Sequence, residues 1–163
     1  MIWWGSLAGG LVGTTVLTTS LRLAQETGLT RMDIPFLLGT VVTENRSRAM
    51  VIGYGMHFFN GLVFSVGYAF VFWAVGHAGI AFGAALGVAH ALFAGGALVN
   101  VLLPSVHPRM GTPWSDAEET PLLETPGFML TNYGRHTALA TIAAHIAYGA
   151  IIGWFAAGLA FVP

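Results

Sequence analysis

AMVIGYGMHFFNGLVFSVGYAFVFWAVGHAGIAFGAALGVAHALFAGGALVNVLLPSVHP, residues 49–108, carries no Asp, Glu, Lys or Arg. A bilayer core about 30 Å thick needs about 20 helical residues per crossing, so these sixty residues suffice for two. Gly76, His77, Ala78 and Gly79 lie at the centre and supply the turn. Two spans are expected at roughly residues 49–75 and 80–103. Pro104, which cannot donate a helical hydrogen bond, is expected to stop the second.

Each flank adds a span. Residues 2–21 form the first, with Trp3 and Trp4 suited to the aromatic belt at a membrane surface. No basic segment precedes it and no small-residue cleavage site follows, so a retained helix is expected rather than a signal peptide. Residues 136–161 form the fourth, with aromatic positions at Trp154, Phe155 and Phe161. The chain reads as an all-α integral membrane protein, one transmembrane domain over residues 1–163. Composition agrees: 55% of residues are hydrophobic and 8% charged, where a soluble domain carries about 25% charged.

The charges collect in two connections. Residues 22–48 hold Arg22, Glu26, Arg31, Asp33, Glu44, Arg46 and Arg48. Inside this segment Asp33 can cap, and Pro35 can open, a short interfacial helix around residues 33–43. Residues 104–135 read as a surface loop with one short helix, Ser115 and Glu118 having capping-box spacing. Four crossings put both connections on one face, which the positive-inside rule assigns to the cytoplasm, with both termini outside. The halves also resemble each other: Asp33-Ile-Pro-Phe answers Glu124-Thr-Pro-Gly-Phe, and His57-Phe-Phe-Asn-Gly answers His145-Ile-Ala-Tyr-Gly. A parallel duplication of a helical hairpin would explain both matches.

Several chemistries are excluded. There is no cysteine, hence no disulfide, thiol nucleophile or iron–sulfur cluster. The net charge of −1, without a lysine or a basic cluster, leaves no nucleic-acid face. No phosphate loop, dinucleotide turn, His-Glu-x-x-His zinc sequence or Gly-x-Ser-x-Gly elbow occurs.

Two features remain. Gly5, Gly9 and Gly13, and again Gly79, Gly83, Gly87, Ala91 and Gly95, form small-residue strips for close helix contact. One thin bundle has no evident use for both, so a homo-oligomer or a place in a larger membrane complex is expected, with lipid around it. The first functional reading is therefore a structural or accessory subunit. The second feature is three histidines inside spans: His57, His90 and His145. Imidazole at such depth is costly unless bonded. His57 and His145 could be axial ligands of haem b, for electron transfer, with Arg109 and Arg135 as contacts for its propionates or for a lipid phosphate. Copper or zinc on His57, His90 and His145 is a further candidate. Phe58, Phe59, Phe64, Phe70 and Phe72 could line a carotenoid or quinone groove. The plainer alternative makes the histidines interhelical hydrogen-bonding groups, with Tyr54, Asn60 and Tyr148 as partners.

Overall fold

A computed structural model describes residues 1–111 and 122–160, with side chains through Gly158. The Ser115–Glu118 capping box and Phe161 lie outside the described residues. The elements are α1 (Ile2–Glu26), α2 (Ile34–Gly39), α3 (Arg46–Val75), α4 (Ile80–Phe93), a π-helical segment (Ala94–Leu102), α5 (Leu103–Val106), a 3-10 segment (Phe128–Tyr133) and α6 (Thr137–Ala160). Four helical rods are long and apolar enough to cross a membrane: α1, α3, the continuous Ile80–Val106 and α6. The protein is an all-α, multi-pass membrane protein.

Local signals explain most boundaries. α1 runs past the expected end at Leu21 to Glu26, because charge marks the membrane surface and not the end of the helix. Arg22 holds Glu26 at 2.9 Å along this extra length. The helix stops only where Gly28 turns left-handed (φ +76°), and Leu29 and Gly28 donate back to the carbonyls of Ala24 and Gln25. Asp33 Oδ1 accepts from Phe36 N–H at 3.0 Å, so α2 begins as the sequence suggests. α3 starts three residues before Ala49, where Asn45 Oδ1 accepts from Arg48 N–H at 3.0 Å. It ends at Gly76 (φ +70°).

Pro104 does not stop the third span. The chain first changes register: Leu103 N–H donates to Leu98 O, five residues back, and helix continues to Val106 with Pro104 as the second residue of α5. A π register shifts each carbonyl to a donor one residue farther on, so the proline is absorbed rather than terminal. His107 then leaves in an extended conformation.

Backbone-to-backbone packing sets the helix order α3–α1–α6–α4. Gly5, Gly9 and Gly13 of α1 lie against Phe155, Ile152 and Tyr148 of α6. Gly83 and Gly87 of α4 lie against Gly149 and His145 of α6. On the other side, Gly10 meets Ser65 and Gly61 meets Thr14, joining α1 to α3. Gly39 and Gly53 let α2 lie directly on α3. Both glycine strips are thus used inside a single chain, and the observation on which the oligomer expectation stood is accounted for without a second copy.

The flanking helices α3 and α4 share the Gly76–Gly79 turn but do not pack backbone to backbone along their length. Aromatic side chains bridge them near the turn, Phe72 to Phe82 at 5.7 Å between ring centres and Tyr68 to His90 at 5.9 Å. Farther from the turn they stand apart. The packing therefore does not repeat with the two sequence halves: α1 lies along α6, whereas their counterparts α4 and α3 leave a gap.

Candidate functional site

That gap is a cleft of about 420 Å³, opening sideways between α3 and the Ile80–Val106 rod. The three intramembrane histidines converge on it: His57 from α3, His90 from α4 and His145 from α6. Asn60, Thr141 and Tyr148 complete its polar wall. The end toward the charged connections is apolar, with Leu38, Leu98, Leu102 and Val106.

His90 and His145 touch edge to face, with ring centres 4.7 Å apart. His90 is also clasped by Phe64 at 4.1 Å and approached by Tyr148 at 5.6 Å. His145 is 9% exposed, and its Nδ1 lies 2.8 Å from Thr141 O. A carbonyl only accepts, so Nδ1 carries the proton and Nε2 keeps a free lone pair. The expected partners are not used: Tyr148 O–H donates to Gly61 O, tying α6 to α3, and His145 bonds within its own helix. Gly61 thus serves as both a close-contact glycine and an acceptor.

Several hydroxyls in the spans are satisfied by their own helix. Thr14 bonds Gly10 O at 2.7 Å, Thr18 bonds Thr14 O at 2.6 Å and Ser65 bonds Leu62 O at 2.7 Å. Buried polar atoms without a partner are, among the described residues, Ser6 Oγ, Tyr68 O–H, His90 Nδ1 and Thr141 Oγ1. Three of these four belong to the cleft or to the side chains behind it, since Tyr68 meets His90 and Tyr148 edge to face. Unsatisfied polar groups in hydrocarbon are costly, and they are gathered at one place.

The wall opposite is unusual backbone. Gly95 of the π segment receives Met129 and Leu130, whose φ angles are +52° and +64°. Left-handed backbone at bulky residues costs about 1–3 kcal/mol and persists where surroundings impose it. Leu130 is 1% exposed and lines the cleft. π segments and strained backbone both concentrate at functional sites.

The two arginines lie elsewhere. Arg109 Nη1 donates to Thr40 O, at the end of α2, and its Nε lies 3.2 Å from Glu44 Oε1. Arg135 is exposed, its Nε 2.9 Å from His136 Nε2. Neither lines the cleft. Of the five phenylalanines, Phe64 lines it, Phe58 is half-buried outside its lining, Phe72 is buried against Tyr68, and Phe59 and Phe70 face outward, so they form no common groove. Among the described residues no group of three or more His, Asp or Glu side chains is arranged to hold a metal ion.

Tyr68, the π segment and the Met129–Leu130 wall were not expected from the sequence. Thr141 precedes His145 by four residues and shares its face by helical spacing, and Tyr68, three helical turns after His57, could have been found the same way. Comparison with family models, curated proteins and solved structures finds no match for this chain.

Proposed function

We propose that this protein is a membrane-embedded binding protein whose working part is the histidine-lined cleft, and that it acts as a ligand-holding subunit in the bilayer. The observation that supports this is the convergence of His57, His90 and His145 on a space open toward lipid. Its volume lies within the range of small-molecule sites, about 300–1,000 Å³. Purification in mild detergent followed by native mass spectrometry should show a retained small molecule. Ala94→Phe and Leu98→Trp, which fill the cleft, should release it while the protein stays folded. Recovery of bulk phospholipid alone, identical in all three proteins, would contradict the reading.

One observation favours a second reading, haem b for electron transfer. His145 has its Nδ1–H fixed on a carbonyl and its Nε2 free, the arrangement usual for a metal-ligating histidine. His90 and His145 are too close for a macrocycle between them, so the axial pair would be His57 and His145. Against it, neither arginine reaches the cleft to meet propionates. A Soret band lost in His57→Ala and in His145→Ala would establish it; a colourless purified protein would dismiss it. We also keep the cytoplasmic assignment of the charged connections as part of this proposal, on the positive-inside rule.

A further inference from the structure

The cleft has a polarity opposite to that of the bilayer around it. Asn60, His90 and His145 lie deep in it, whereas His57 sits nearer the charged surface, on a small pocket it shares with Arg22 and Asp33, and the rest of that part is lined by Leu38, Leu102 and Val106. A phospholipid would put its charged head against these aliphatic side chains and its tails against imidazoles, a mismatch at both ends. No Asp, Glu, Lys or Arg lines the space to neutralise a charged head placed deep. The occupant that matches is uncharged, with hydrogen-bonding groups at one end and an apolar tail.

The deep end specifies more. His145 Nε2 offers a lone pair, because Nδ1–H is engaged with Thr141 O at 2.8 Å. It therefore calls for a donor, an O–H rather than a bare carbonyl. The surrounding groups are rings: Phe64 lies 4.1 Å from His90 and Tyr148 5.6 Å from it. Flat aromatic groups pack against such rings by offset or edge contacts. We infer that the cleft binds an uncharged lipid of the hydroquinone class. Its hydroxylated ring lies at the histidines and its tail runs along Leu98, Leu102 and Val106. The inference rests on the cleft being a ligand site and names the class of ligand.

The test uses the full chain in nanodiscs under anaerobic conditions, titrated with three probes: decylhydroquinone, its dimethyl ether and decylphosphocholine. The ether keeps the ring and tail and lacks the O–H donors. Decylhydroquinone should bind about tenfold more tightly than the ether, the scale of one well-made buried hydrogen bond, and decylphosphocholine no better than to empty nanodiscs. In His145→Asn the amide can still donate to Thr141 O, but Nε2 is gone. That variant should lose the tenfold preference and keep its affinity for the ether. His90→Phe preserves ring packing and serves as a second folded variant, with a smaller loss expected. Equal binding of hydroquinone and ether would overturn the hydroquinone class and leave the cleft as a site for another lipid-soluble molecule. Absence of binding by all three probes would also overturn it, and the retained molecule in native mass spectrometry would then decide separately whether the cleft is a ligand site.

Discussion

His107 shows how one side chain can fasten a surface element to a membrane bundle. It is 6% exposed and sits just beyond Val106. Its Nδ1 accepts from Arg109 N–H at 3.0 Å, so Nε2 carries the proton and donates to Leu37 O at 3.1 Å, with Thr40 Oγ1 at 3.2 Å. Burial lowers its pKa, the Leu37 bond raises it, and the Arg109 guanidinium lowers it again. A proton is then taken up more readily by the unfolded chain, whose histidine titrates near 6.5. The stability that the neutral ring contributes is complete above about pH 6.5 and is lost as pH falls from there through the lower folded value. Protection factors in α2, with the intrinsic pH dependence of amide exchange divided out, should therefore fall between pH 7.5 and pH 5, and His107→Gln should flatten that dependence. A protection factor unchanged across that range in the wild type would contradict the clasp. Arg109→Gln, which removes the donors to Thr40 O and the Glu44 pair, should cost about 1–2 kcal/mol.

Among the elements, glycine decides which helices touch. A Cβ on Gly149 would collide with the backbone of Gly83, whereas one on Gly55 or Gly67 would meet nothing within 4 Å. Gly149→Ala should thus destabilise the α4–α6 pair by about 1–3 kcal/mol, while Gly55→Ala should be neutral or stabilising by up to about 1 kcal/mol. Unfolding midpoints in detergent would check both, and equal effects would contradict the packing. A leucine at Gly83 or Gly87 would likewise run into the backbone of α6, at Gly149 and His145. The spans, the Asp33 cap and the Gly76 turn were legible because each rests on a residue type with one physical consequence. The partners of the glycine strips were not, since a strip shows that something approaches and not what. The π segment and the left-handed Met129 and Leu130 left no mark either: neither Met129 nor Leu130 is a glycine or asparagine that would announce such backbone, and both pack on Gly95 of the π segment.

For the whole molecule, the arc α3–α1–α6–α4 turns a four-helix chain into a cleft-bearing one. Its two central helices are more buried than the flanking pair, which present Phe59, Trp73 and Phe93 to lipid. All described charges lie at the end opposite the Gly76–Gly79 turn. The chain has no cysteine, so single cysteines report topology cleanly. Ala78→Cys should react with an impermeant reagent added outside intact cells and Glu44→Cys should not; the reverse pattern would invert the assignment. The central claim is that three histidines from three helices share one ligand-binding space. Solid-state NMR of histidine-labelled protein in bilayers tests it most directly. It should show His145 protonated at Nδ1 and bare at Nε2, a contact between the His90 and His145 rings, and a shift of the His145 Nε2 signal on adding decylhydroquinone while exposed His77 stays unchanged. A His145 protonated at Nε2, with no His90 contact and no response to the probe, would contradict the account.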